Sequence, residues 1–489
     1  MYLMPIKYEE TYDSLKRHQQ PQWLDDGKWG IYFHWGVYSV PAFGNEWYPN
    51  MMYRGFISPI WAHHVDTFGP LDEFGYKDFI PKFTAEKFDA DAWAKLFKES
   101  GAKFAGPVAE HHDGFSMWDS KVNKWNAKNM GPKRDIVGEL EKAIRKQGMR
   151  FICTFHHANL WYFYNHDPGL DTGDPKYADF YGKPHAATKG IGYSDPRLDR
   201  PDKEFNEIWF AKLKEVIDAY KPDLIWFDFC LRRIHDKYKR KLAAYYYNKA
   251  EEWGTEVEII YKDFNMPPGM GLLDYERGRA DKLTHYKWIT DTSMGRKSWC
   301  HIEGEEYTPI SALIHAFIDR IAKNGYLLLN FGPKANGEIP TEVQQNFKEF
   351  GRWLSVNKEA VFGTTPWVVA EEGPTRMDKD GGFNDDQDYT RSYTAEDIRF
   401  VTKGNAVYAF ALGWPANGEL TIKTLTQPPA PKSEFPEEPY IVEDSDIASI
   451  HLLGNSVPLK WKVTNHGLKI QLPAKKPCDH AYAFKITWA

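Results

Sequence analysis

Asp228 closes the run Leu224-Ile225-Trp226-Phe227-Asp228, where period-2 alternation puts an indole and a carboxylate on one face of a short strand. A carboxylate at that depth must be hydrogen-bonded, salt-linked or functional, because burying it unpaired is costly. Polar residues close other apolar runs in the same way: His34-Trp35, Glu110-His111-His112-Asp113, His156-His157 and Asp274-Tyr275-Glu276-Arg277. Any one of these alone reads as a hydrogen-bonded structural side chain. Their concurrence at strand ends reads as a site. A carboxylate between aromatic walls, with imidazoles to bond hydroxyls, is what glycoside hydrolysis needs: one carboxylate attacks or activates water, and a second carboxyl protonates the leaving oxygen. Flat rings pack against the C–H faces of a sugar while polar groups pair with its hydroxyls.

The paired histidines raise metal ligation as a rival chemistry. Neither His111-His112 nor His156-His157 has the i, i+4 helical spacing, or the alternate spacing on a strand, that sends two ligands to one face, and His63-His64 is expected in a loop. Neighbouring strand residues point to opposite faces, so one member of each pair is expected in the site. No metal and no other cofactor is expected.

The elements that must position these residues recur along the chain: a helical pattern, a glycine, then a short apolar strand. Helices are expected over 91–100, 135–147, 204–220, 239–253 and 309–323, the last with Thr308 as N-cap and Pro309 as first residue. Strands are expected over 30–33, 103–109, 150–155, 224–229, 256–261, 272–275, 298–301 and 326–331. Eight strands alternating with helices favour an α/β fold, a (β/α)8-like barrel, over residues 1–362. A doubly wound sheet would instead favour a glycine-rich turn after the first strand, where this chain has His34-Trp35-Gly36-Val37. After a helix over 341–356 the texture changes: a polar stretch over 373–397 reads as a loop, and short alternating segments between turn pairs then predict a C-terminal antiparallel β-sandwich over 363–489.

Composition narrows the function classes. The 489 residues hold 62 Lys+Arg and 68 Asp+Glu, a net charge of −6, so no nucleic acid partner is expected. Four cysteines without a CxxC encode neither a zinc ribbon nor a disulfide framework. No apolar run reaches the ~18 residues of a membrane span and the start of the chain lacks a signal-peptide pattern, so a soluble protein without a membrane partner is expected. Aromatics are 16% of the chain, which implies large cores or a flat-walled site, with Trp35, Trp47 and Trp226 the rings expected at strand ends.

At this point the sequence resembles a known family, the retaining α-L-fucosidases of glycoside hydrolase family 29. The resemblance runs through Lys28-Trp29-Gly30-Ile31-Tyr32-Phe33-His34-Trp35-Gly36, Glu46-Trp47-Tyr48, His111-His112-Asp113-Gly114-Phe115, Lys133-Arg134-Asp135, Trp226-Phe227-Asp228, Leu327-Leu328-Leu329-Asn330-Phe331-Gly332-Pro333 and Asp397-Ile398-Arg399-Phe400. It implies a barrel with a C-terminal β-sandwich, no metal, and double displacement through a covalent glycosyl-enzyme. It implies Asp228 as nucleophile and His34, Glu46, Trp47, His111, His112 and Trp226 as sugar-binding residues, with Arg277 near the acid/base. The third strand's contact residue aligns with Phe155 or His156. Family members are often periplasmic, secreted or lysosomal; the compartment of this chain is left open.

The chain departs from the family where a glutamate acid/base is common: Tyr286-Lys287-Trp288 is followed by Ile289, which cannot transfer a proton. Glu276 is the nearest replacement at a strand end, with Arg277 able to hold its carboxylate, and Asp291 and Glu303 are weaker candidates. An ion pair of Glu276 with Arg277 or Arg279 is its structural alternative. The expected partner is a terminal L-fucosyl or L-galactosyl oligosaccharide or polysaccharide. α-L-Galactoside or sulfated fucoside hydrolysis, a non-catalytic glycan-binding protein and a metal-dependent hydrolase stand as alternatives. The polar stretch 165–199 is expected to overhang the site, and the oligomeric state is left open.

Overall fold

The computed structural model describes residues 7–185, 200–427 and 440–489. Eight parallel strands close into a barrel in sequence order: β1 (Trp29–Phe33), β2 (Phe104–Glu110), β3 (Arg150–Phe155), β4 (Leu224–Phe227), β5 (Glu258–Lys262), β6 (Leu272–Asp274), β7 (Trp288–Ser293) and β8 (Gly325–Phe331). The strands are buried throughout, apart from the half-buried Arg150. Continuous burial is what a parallel sheet covered on both faces requires. Leu24, Tyr32, Phe104, Val108, Ile152, Leu224, Trp226, Ile260, Leu272, Ile289, Tyr326 and Leu328 fill the barrel as one apolar cluster.

Helices α1 (Pro59–Phe68), α2 (Ala90–Glu99), α3 (Ile136–Lys146), α4 (Lys203–Tyr220), α5 (Asp236–Trp253), α6 (Ile310–Ala322) and α7 (Thr341–Val361) surround the strands. Side-chain caps fix several starts: Asp89, Asp135 and Asp202 accept from the third residue beyond each. The α6 cap differs from expectation, since Pro309 itself is the N-cap and Thr308 lies outside. His63 and His64 are helical, in α1, and His64 is held by Tyr48 and the Phe74 carbonyl as a structural residue.

One strand assignment is corrected. The seventh strand is Trp288–Ser293, and the expected 298–301 segment is a loop beyond it. Only Trp288 and Ile289 are apolar in β7, and its inward Asp291 and Ser293 accept bonds from Tyr32 and Asn330 of other strands, so its sequence lacks a strand's apolar signature. Of the polar stretch 165–199, residues 186–199 lie outside those described.

The C-terminal region forms antiparallel sheets. Strands β9 (Thr365–Glu372), β10 (Ile398–Lys403), β11 (Ala406–Ala411), β15 (Ile447–Leu452) and β18 (Tyr482–Trp488) make a five-stranded sheet in the order β15-β18-β11-β10-β9. A second sheet is β12 (Glu419–Ile422), β17 (Gly467–Gln471) and β16 (Trp461–Thr464), and the short strands β13 (Leu425–Thr426) and β14 (Tyr440–Ile441) form a separate parallel pair. Phe362 and Gly363, where the boundary was expected, lie in the turn between α7 and β9. The central strand β11 of the larger sheet is buried on both faces, and alternation divides it. Val407, Ala409 and Ala411 face the sandwich core, while Ala406, Tyr408 and Phe410 join the core of the barrel. Between the two, Asp319 and Lys323 at the end of α6 bond Arg399 and Glu371 of the sheet at 2.6 to 3.2 Å, all four essentially buried. Among the described residues no helix is long and apolar enough to cross a membrane.

Candidate active site

The C-terminal ends of the strands open into a cavity of about 490 Å³ lined by Tyr32, His34, Glu46, Trp47, His111, His112, His156, Trp226, Asp228, Lys262, Glu276, Asp291, Trp299 and Phe383, among others. Of the residues expected at the site, Arg277, Trp35 and Glu303 do not line it, and the others do. A larger cleft of about 880 Å³, beside Trp161 and Phe205, contains none of the barrel-end carboxyls.

Asp228 follows β4 and receives three donors. Lys262 Nζ lies 3.0 Å from Oδ1, while His156 Nδ1 at 3.0 Å and His112 Nε2 at 3.3 Å share Oδ2. Burial alone would raise its pKa, but Lys262 and the two imidazoles outweigh burial and hold the carboxyl well below the usual carboxylate range. The group is an anion kept ready. Trp226, two residues earlier, turns its ring toward the same space with Lys262 Nζ 4.5 Å from the ring centre, and its Nε1–H donates to Asp274 at 2.6 Å.

Lys262 ends β5 and also reaches Glu276 Oε2 at 2.8 Å and Asp291 Oδ2 at 3.3 Å. Burial pushes Glu276 up to about 8, with the charges of Asp291 and Asp228 adding to the rise and Lys262 opposing it. One ammonium thus bridges two carboxyls whose pKa values are driven apart, the pattern that separates a nucleophile from an acid. Contacts of 3.0 and 2.8 Å to a single Nζ keep the bridged oxygens of Asp228 and Glu276 closer than the ~6.5 Å at which inverting spacings begin.

The expected partner of Glu276 is corrected: its carboxylate pairs with Lys262. Arg277 instead turns to Asp385 at 3.2 Å and lies over the Trp299 ring at 4.5 Å, and Arg279 pairs with Asp388. Of the other acid candidates, Glu303 is a surface residue with its side chain 83% exposed. Asp291 sits deep, accepting from Tyr32 Oη at 2.9 Å. Ile289, two residues before Asp291 on the inward face of β7, is packed within the barrel. Burial, then the charge of Asp291, pushes the neighbouring Asp274 carboxyl well above its ordinary value.

The imidazoles form a second wall. Asn330 Oδ1, on β8, accepts from His34 Nδ1 at 2.8 Å, which leaves His34 Nε2 as an acceptor. His34, His111 and His156 have ring centres 4.6 to 5.2 Å apart, and burial lowers the pKa of all three, keeping the rings neutral. Both His111 and His112 line the cavity, against the expectation of one, because β2 ends at Glu110 and strand alternation no longer applies beyond it. His157 does turn away, toward Trp209. The ligating atoms of His34, His111 and His156, and of His112, His156 and Asp228, lie within 4.8 Å of one another, so either set could hold a borderline cation.

Trp47 packs against His112, Phe163 and Phe229. Glu46 accepts from the Trp299 backbone N–H at 3.1 Å, and burial raises its pKa. Trp35 is corrected: its ring is packed among Phe83, Phe88 and Trp93 outside the cavity, and Trp299 takes the wall position. Lys262 was missed in the sequence although a charged residue closing Glu258-Ile259-Ile260-Tyr261 is the same signal as Asp228. Phe383 carried no such signal, since it comes from the loop between β9 and β10.

A parallel barrel whose strand ends hold two carboxyls at close range, amid indoles and neutral imidazoles, defines a glycoside hydrolase class of site. The family model described as alpha-L-fucosidase matches residues 3–359, and that of the alpha-L-fucosidase C-terminal domain matches 391–487. The chain belongs to the alpha-L-fucosidase family of glycoside hydrolases. It is 29% identical to tissue alpha-L-fucosidase of Bos taurus over 504 residues, covering 99% of this chain and 92% of that one. It is also 29% identical to the Homo sapiens tissue enzyme, with the same coverage. Thermotoga maritima alpha-fucosidase in complex with fucose superposes with a TM-score of 0.74 at 28% identity, over 98% of this chain and all of that one. Residues 360–390 fall between the two family models.

Proposed function

We propose that this chain removes terminal α-L-fucose from glycans with net retention, using Asp228 as nucleophile and Glu276 as acid/base. The observation that carries the reading is the Lys262 bridge, which holds an ionised carboxylate and a raised-pKa carboxyl on one ammonium. Asp228 attacks the anomeric carbon and the glycosidic bond breaks toward the leaving oxygen, which takes the Glu276 proton. The Glu276 carboxylate then removes a proton from water as that water displaces Asp228, restoring both groups. His34, His111, His112 and His156 supply hydroxyl partners, with Glu46 and Trp47 completing the pocket. Its floor of Tyr32, Trp226 and Asp291 suits a chain end and favours exo action.

The test is Asp228→Gly against an aryl α-L-fucoside. Turnover is expected to vanish and to return with azide as an azido sugar; activity retained without azide overturns the assignment. An aryl α-L-galactoside, which adds a hydroxyl at C6, is expected to be the poorer substrate of the wild-type protein. The spacing of the two histidine-containing ligand sets favours a metal-dependent hydrolysis as the second reading. Activity surviving exhaustive chelation discards it.

A further inference from the structure

The polar loop between β9 and β10 reaches across to the barrel and fastens to the segment carrying Glu276. Gly381 and Arg279 exchange backbone bonds at 2.9 and 3.0 Å, Phe383 N–H donates to the Glu276 carbonyl at 2.7 Å, and Asn384 and Asp385 N–H both donate to the Arg277 carbonyl at 2.8 Å. Side chains lock the same seam: Arg277 with Asp385, Thr292 with Asp385, Arg279 with Asn384 and Asp388, and Arg320 with Asp388. The approach is close enough that a Cβ at Gly278 would sit 2.0 Å from the Gly381 carbonyl oxygen.

At the tip of this fastened loop Phe383 is 73% exposed while lining the cavity. Its φ is +55° and that of Arg277 is +46°, left-handed conformations that bulky residues adopt only when their surroundings impose them. A single exposed ring is ordinary. A ring held in a costly backbone conformation at a cavity rim, by bonds to the acid/base residue itself, is not.

We propose that Phe383 is the platform of the leaving-group subsite, stacking on the C–H face of the neutral hexopyranose that carries the fucose. This rests on Glu276 as the proton donor. The proton goes to the oxygen joining fucose to the next sugar, so that sugar lies on the Glu276 side, where the loop holds Phe383. The residues between the two family models therefore set which glycans are accepted.

Calorimetry in the Asp228→Asn background tests this with L-fucose and with an α-L-fucosyl-galactose disaccharide. L-Fucose binding reports on the fucose pocket, and the ratio of the two affinities reports on the platform. Phe383→Ala is expected to weaken the disaccharide about 5- to 10-fold while moving L-fucose by less than about twofold, and Phe383→Tyr to restore the disaccharide. Equal losses on both sugars, or no loss on the disaccharide, overturn the platform.

Discussion

At the scale of the residue, Glu276 and Lys262 make separable predictions. Glu276→Ala should lose hydrolysis of natural linkages by about 10²–10⁴-fold, yet retain most of its activity on a fucoside whose leaving group needs no proton. Equal losses would remove Glu276 from the acid role. Because Glu276 must be protonated to donate and is raised to about 8, activity on natural linkages is expected to hold below that value and to fall as pH rises through it; Glu276→Gln should show no such limb. Lys262 opposes burial at both carboxyls, so Lys262→Met should raise both pKa values. The acid limb set by Asp228 then moves up, with a loss on the order of tenfold at pH 5 for each unit it crosses that pH. Lys262→Arg should return the limb toward its original position, and an unmoved pH profile would reduce Lys262 to packing.

At the scale of the element, Asp388 on the short helix α8 (Asp386–Thr390) is the hinge pin of the rim loop, accepting from the buried Arg279 and Arg320. Asp388→Ala leaves two buried guanidiniums without their shared carboxylate, a cost of about 3–5 kcal/mol. A lowered denaturation midpoint should accompany a larger proportional loss on disaccharides than on activated fucosides. The elements also show where sequence is and is not informative. Most barrel strands were legible because parallel strands buried on both faces read as apolar runs. In β7, by contrast, the inward positions after Ile289 are polar, Asp291 and Ser293, and they are stabilised by Tyr32 and Asn330 from other strands. Asp228 and the histidines were legible because they close apolar runs, and Trp226 because alternation puts it on the same face as Asp228. The partner of Glu276 was not, since Arg277 is adjacent in sequence but its positive φ turns it away, and Lys262 arrives from the neighbouring strand.

At the scale of the whole molecule, the five-stranded sheet serves two cores at once, and the Asp319–Arg399–Glu371–Lys323 cluster lies between them. Arg399→Met keeps the volume but removes the cation facing Asp319 and Glu371. A loss of about 3–5 kcal/mol is expected, read as a single cooperative unfolding transition shifted to lower denaturant. Two separated transitions would indicate cores that melt independently. The charge cluster was invisible in the sequence because its members lie as far apart as residues 319 and 399.

The fastening of the 381–385 loop to the Glu276 strand end has a consequence for recombination. A cut at the turn after α7 would give a chimera the barrel of one parent and the loop of the other, so Gly278 and Asp388 would meet unfamiliar partners. The stretch through α8 belongs functionally with the residues it grips, and a crossover placed after residue 391 moves the leaving-group wall together with the proton donor. Glycan preference should then be inherited with the barrel, and stability with the sheet.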